Sequence, residues 1–196
     1  MPSETRHIEH RECEDMRQND HIILGIDPGY ARMGWGVIKI GRGSCAGHIL
    51  EVAPTQEPRP TLRLECLGFG CVETPKEEEM PTRLAYLFDA LKQIMGHYKP
   101  NDIAVEELFF AKNVKTAMLV AHARGVIMMA SALHSGRIFE YRPNDVKLAV
   151  AGDRKADKKA VIQAVCRALD FDNPPKLDDV ADALAIALTH AGKLVY

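Results

Sequence analysis

The chain has 196 residues, 46% of them hydrophobic and 27% charged, enough for one globular domain that buries a core without disulfide or metal staples. Its five cysteines (Cys13, Cys45, Cys66, Cys71, Cys166) form no CxxC pair and are odd in number, so neither a zinc knuckle nor a disulfide framework is indicated and reduced thiols in the cytoplasm are expected. A net charge of −2 argues at first against a nucleic-acid partner; yet residues 1–20 hold six acids against three bases and residues 108–160 hold ten bases against four acids, so a basic face is available to phosphate, or to solvent as an ordinary helix surface.

Residues 1–20 lack the apolar centre of a signal peptide and are too acidic for a transit peptide. We expect a disordered N-terminal extension there, with residues 21–196 forming a single domain. The run from His21 to Gly29 reads as a buried strand stopped by Pro28 and Gly29. A second strand near Met33 to Ile40 should return beside it as a hairpin. Gly41, Gly43, Gly47, Pro54, Pro58 and Pro60 give residues 41–61 the composition of a long, poorly ordered loop. A third strand is expected over Leu67 to Thr74. Pro81 then opens a helix with Leu84, Leu87, Phe88, Leu91, Ile94 and Met95 at helical spacing, ended by Lys99-Pro100.

A short strand from Asp102 to Leu108, a long helix from about Asn113 to Leu133 and a strand near Arg137 to Tyr141 follow. Helices are expected near Pro143 to Val150, Ala156 to Leu169 and Leu177 to Leu194, the last two separated by Asp172-Asn173-Pro174-Pro175. The apolar stretch from Ala117 to Leu133 is interrupted by His122 and Arg124 and is short for a bilayer, so no membrane span is expected. Three antiparallel strands followed by strands with crossover helices define an α/β protein with a mixed five-stranded sheet flanked by helices.

Three places carry acids that ordinary structure does not fully explain. Asp27 stands at the carboxyl end of the first strand, where a side chain projects into the crevice above a sheet; capping the Pro-Gly turn is its commoner role. Glu106 and Glu107 end another apolar strand, and because side chains alternate across a sheet only one of them can share the crevice. Asp178, Asp179 and Asp182 open the last helix at spacings that bring them onto nearly one face. Dipole stabilisation accounts for the first two, whereas Asp182 lies a turn deeper against apolar surface and needs a partner. Two carboxylates about 4 Å apart repel by about 4 kcal/mol at an effective dielectric of 20. A gathered set therefore calls for a cation, and Mg²⁺ held by such acids supports phosphodiester hydrolysis.

Four blocks resemble the RuvC family of Holliday-junction resolvases: Ile23-Leu-Gly-Ile-Asp27-Pro-Gly with Gly34-Trp-Gly-Val; Ala104 to Asn113; Ala123-Arg-Gly-Val126; and Asp179 to His190. The resemblance implies a ribonuclease-H-like domain acting as a homodimer, each of whose two sites nicks one strand of a four-way DNA junction. It implies Asp27, Glu106, Asp179 and Asp182 as metal-binding catalytic acids for two Mg²⁺, with Mn²⁺ as a possible substitute. It further implies that Lys147 and Lys158 contact the scissile phosphate, that Phe109 stacks on an unpaired base with Lys112 and Asn113 beside it, and that a branch-migration complex of the RuvA-RuvB type is a partner. Isolated residues of these kinds more often serve as core packing or solvated surface. His190 sits near a helix C-terminus, where favouring the dipole would be enough to account for it, and is given no chemistry.

Two other classes share parts of this pattern. Asp27-Pro-Gly followed by Gly34 and Gly36 resembles the first phosphate loop of actin-like ATPases and sugar kinases, but those enzymes duplicate the fold and 196 residues leave no room for a second copy. A junction-binding protein without catalysis would need the basic segment alone and leaves the acid set unexplained.

Overall fold

In the computed structural model, residues 20–42, 62–107, 114–134 and 136–195 are described. Most of the expected extension and loop, together with Phe109, Lys112 and Asn113, lie outside them. Five strands form one sheet: β1 (His21–Asp27), β2 (Arg32–Arg42), β3 (Leu62–Glu73), β4 (Asp102–Glu106) and β5 (Arg137–Tyr141). The order across it is β3-β2-β1-β4-β5, with β1–β2 and β2–β3 antiparallel and β1–β4 and β4–β5 parallel. This is the mixed sheet expected from the element order.

Helices cover both faces. On one, α1 (Met80–Tyr98) and α2 (Val114–Leu133) pack Leu87, Leu91, Met95, Ala123 and Ile127 against Leu24, Ile26, Trp35 and Val105. On the other lie α3 (Pro143–Ala151), α4 (Lys158–Leu169) and α5 (Asp178–Val195), where Val161, Val165, Leu184 and Ile186 meet Ile23, Ile38, Ile40 and Ala104. The two-residue period assigns the faces: Ile22, Leu24 and Ile26 serve the first layer and Ile23 the second.

β4 ends at Glu106, short of the expected Leu108, and the boundaries of β2 and β3 also differ from expectation. β3 starts at Leu62 rather than Leu67, because the register with β2 slips between Val37 and Ile38, making Leu67 the extra residue of a β-bulge. Leu64 and Cys66 before the bulge and Phe69 and Cys71 after it then pack on the same layer, so the alternation is broken where the strand continues. β2 correspondingly runs through Gly41 and Arg42, opposite Arg63 and Leu62, so Gly41 belongs to the sheet and not to the loop. Asp20, assigned to the extension, lies 3.7 Å from Lys39 Nζ.

The length argument against a membrane span also fails: α2 has 20 residues, and Thr116–Leu133 is by length and composition apolar enough to cross a bilayer. Its apolarity is two-sided. Ala123, Ile127 and Ala130 are buried, whereas Met118, Met129 and Leu133 are 59%, 56% and 68% exposed on an outer face that also carries Ala121, Gly125 and Ala132.

Candidate active site

β1 and β4 end side by side. Ile26 pairs with Val105 in parallel register, so Asp27 and Glu106 leave adjacent strands at the same level. Both continue the face of Ile23 and Ala104, the one covered by α5. Glu107 comes one residue later and is drawn aside by Arg142, whose Nε lies 3.0 Å from its carboxylate. Alternation therefore makes the choice that the sequence required.

α5 is brought to these strand ends by missing side chains. A Cβ on Gly25 would meet the Ala183 carbonyl, and one on Gly34 would fall on the carbonyl of Asp179. With only hydrogen at both positions the helix backbone lies directly on β1 and β2. Its first turns, bearing Asp179 and Asp182, thereby reach the end of β1.

The electrostatics record this convergence. Burial, then the charges of Glu106, Asp182 and Asp179, push the Asp27 carboxyl up to about 8. Glu106 is raised by burial and by Asp182, against the lowering effects of Asp27 and of Lys147. Asp182 is raised by burial although Lys158 opposes the shift. Lys158 Nζ stands 3.0 Å from Asp178 and 3.5 Å from Asp182; burial would lower its pKa, but these carboxylates raise it.

Arg32 was not singled out by sequence. Its Nε lies 3.1 Å from Asp179 Oδ2, an oxygen sealed from solvent that accepts no hydrogen bond. The contact joins the turn after β1 to α5, so no local pattern signals it. Among the described residues no three His, Cys, Asp or Glu groups stand at metal-ligating spacing. Arg32 and Lys158 pair with the α5 acids, while Asp27 and Glu106 stand side by side at the strand ends.

The structure thus brings together Asp27, Glu106, Asp179, Asp182, Lys147 and Lys158. His190 is elsewhere and is not a dipole partner. It is 2% exposed, its Nδ1 is 2.7 Å from Tyr141 Oη and its Nε2 2.8 Å from Asp102 Oδ2. Burial lowers its pKa against the pull of Asp102. Asp102, with no exposed surface, also binds His21 and Arg137, each at 2.7 Å. Nothing in an apolar strand pattern signals this network, because its members lie 35 to 88 residues from Asp102.

Clustered carboxylates at the ends of two parallel strands and the start of a covering helix define a nuclease-type site of the ribonuclease-H-like class. Comparison with known proteins makes the assignment narrower. Residues 55–190 match the family model for crossover junction endodeoxyribonuclease RuvC. A protein of that name from Alkaliphilus oremlandii is 43% identical over 170 residues, covering 87% of this chain and 92% of its relative. The structure of Thermus thermophilus RuvC in complex with a Holliday junction substrate is similar with a TM-score of 0.75 and 29% identity, covering 89% of this chain and 94% of that one. A second T. thermophilus RuvC structure gives 0.71 and 30% over 87% and 93%. The chain belongs to the RuvC family of crossover junction endodeoxyribonucleases.

Proposed function

We propose that the chain is a homodimeric, Mg²⁺-dependent endonuclease that resolves four-way DNA junctions in recombination and repair by nicking two strands of like polarity. The observation that carries this reading is the meeting of the Asp27 and Glu106 strand ends within reach of Asp179 and Asp182, whose charges help raise the half-buried Asp27 carboxyl to about 8, since such acids repel one another unless a proton or a cation intervenes. The donor set fits a hard divalent ion: all four groups are carboxylates, and Asp179 Oδ2 is a sealed oxygen that accepts no hydrogen bond. Two Mg²⁺ ions, for which Mn²⁺ could substitute, would supply Lewis acidity for phosphodiester hydrolysis.

The chain's own residues supply the rest. Asp27 and Glu106, whose pKa values are raised in the absence of a cation, would hold the metal as ionised carboxylates, releasing to solvent any proton they carry. Lys147, close enough to lower the Glu106 pKa, and Lys158 offset charge on the scissile phosphate. Phe109, Lys112 and Asn113 contact the strands near the branch point, with Phe109 stacking on an unpaired base. The outer face of α2, with Met118, Met129 and Leu133 exposed, supports pairing of two copies, and with them two sites. A branch-migration complex in the cytoplasm is the proposed partner.

The test is cleavage of a mobile four-way junction with and without Mg²⁺, mapped at nucleotide resolution beside a linear duplex. Symmetric, metal-dependent nicks on the junction alone are expected. Tight junction binding without nicking would instead identify a non-catalytic binding protein.

A further inference from the structure

A groove of about 660 Å³ lies outside the acid cluster, between α4 and the segment that leads into α5. Its floor is apolar, formed by Ile162, Cys166, Phe171 and Pro174. The Phe171 ring is held against Phe69, with centroids 5.5 Å apart. Lys158, Lys159, Gln163, Arg167 and Asp172 form the polar part of the lining, three bases against one acid.

Lys159, Gln163 and Arg167 are all exposed and follow one another at intervals of four, on one face of α4. At 1.5 Å per residue they span about 12 Å, the axial length of about three to four phosphates on one strand of a duplex. Among the described residues Lys159 and Arg167 have no carboxylate partner, unlike Arg137, Arg142 and Arg154. Lys158 joins this groove to the acids, because it lines the groove and also reaches Asp182.

We propose that this groove is a second DNA contact, in which Lys159, Gln163 and Arg167 hold the backbone of the strand running away from the acid cluster. Phosphates meet the basic rim, and sugar and base surfaces lie over Phe171 and Pro174. Phosphate contacts of this kind fix register without reading sequence, so the groove positions the strand for cleavage. The assignment rests on the nuclease reading above. Charge complementarity and continuity with the acid cluster select nucleic acid over an apolar protein segment as the occupant.

The experiment measures binding of a fluorescent synthetic four-way junction in EDTA, between about 50 and 200 mM salt, for wild type, Lys159→Ala, Arg167→Ala and the double variant. Each single variant is expected to bind several-fold more weakly, and the slope of log affinity against log salt to fall by about one for each base removed. Melting temperatures close to wild type establish that the variants are folded. A second readout is alkylation of Cys166, resolved by peptide mass: bound junction is expected to slow it. Unchanged affinity and slope, or a Cys166 equally reactive with and without junction, overturns the groove as a DNA site. Failure of wild type itself to bind junctions would defeat the nuclease reading as well, so the two failures are distinguishable.

Discussion

Asp27 and Glu106 stand side by side at the ends of the adjacent parallel strands β1 and β4, close enough for the charge of Glu106 to raise the Asp27 carboxyl. Two carboxylates so placed repel one another unless one of them takes up a proton. In this half-buried pair a proton or a divalent ion relieves that repulsion.

That relationship fixes a pH dependence. The Asp27 pKa rises on folding from 3.8 to about 8. Between these values the folded chain binds a proton that the unfolded chain has released, so stability falls as pH increases through this window and levels off above it. In chelator, the melting temperature should drop from pH 5 toward pH 8. Asp27→Asn should flatten the profile and raise the melting temperature at the alkaline end. A wild-type profile flat across this range would contradict the raised carboxyl.

Asp102 has the opposite sign. Burial raises its pKa, but hydrogen bonds from His190, Arg137 and His21 outweigh burial and leave it lowered. Its contribution to stability is present above the unfolded value of 3.8 and is lost as pH falls below it. Asp102→Ala, which leaves His190 and His21 without their shared acceptor, should cost about 3 to 5 kcal/mol by chemical denaturation. Junction cleavage well below the new melting point should change far less than it does for any of the four site acids.

Gly34→Ala tests how the helix reaches the site. The added methyl would fall on the Asp179 carbonyl and drive the start of α5 away from β2. A loss of about 1 to 3 kcal/mol is expected from overpacking, together with a fall in cleavage of tenfold or more because Asp179 moves with its backbone. An alanine variant with wild-type stability and activity would show that this close approach is dispensable.

Met129→Glu places a charge at the centre of the outer face of α2, where Met129 is 56% exposed. Sedimentation should report a shift from dimer to monomer, and paired nicking of one junction should give way to single nicks. An unaltered dimer would locate the pairing surface elsewhere.

Much of the site was legible in the sequence because it follows short-range rules. The end of an apolar run positions Asp27, two-residue alternation separates Glu106 from Glu107, and helical spacing aligns Asp179 with Asp182. What was hidden depends on partners distant in the chain. Arg32 meets Asp179 only after α5 docks on β2. The burial of His190 depends on Asp102, 88 residues away. The start of β3 was masked by the bulge at Leu67, which breaks the pattern used to find strands. The long apolar stretch of α2 mixes a core face with an exposed one, and composition alone does not separate them.

The most direct test is anomalous diffraction from crystals of the protein soaked in Mn²⁺. The account predicts manganese peaks within coordinating distance of the carboxylates of Asp27, Glu106, Asp179 and Asp182, with Arg32 displaced from Asp179 as the ion enters. Peaks confined to other surfaces at a saturating concentration of the ion would contradict it.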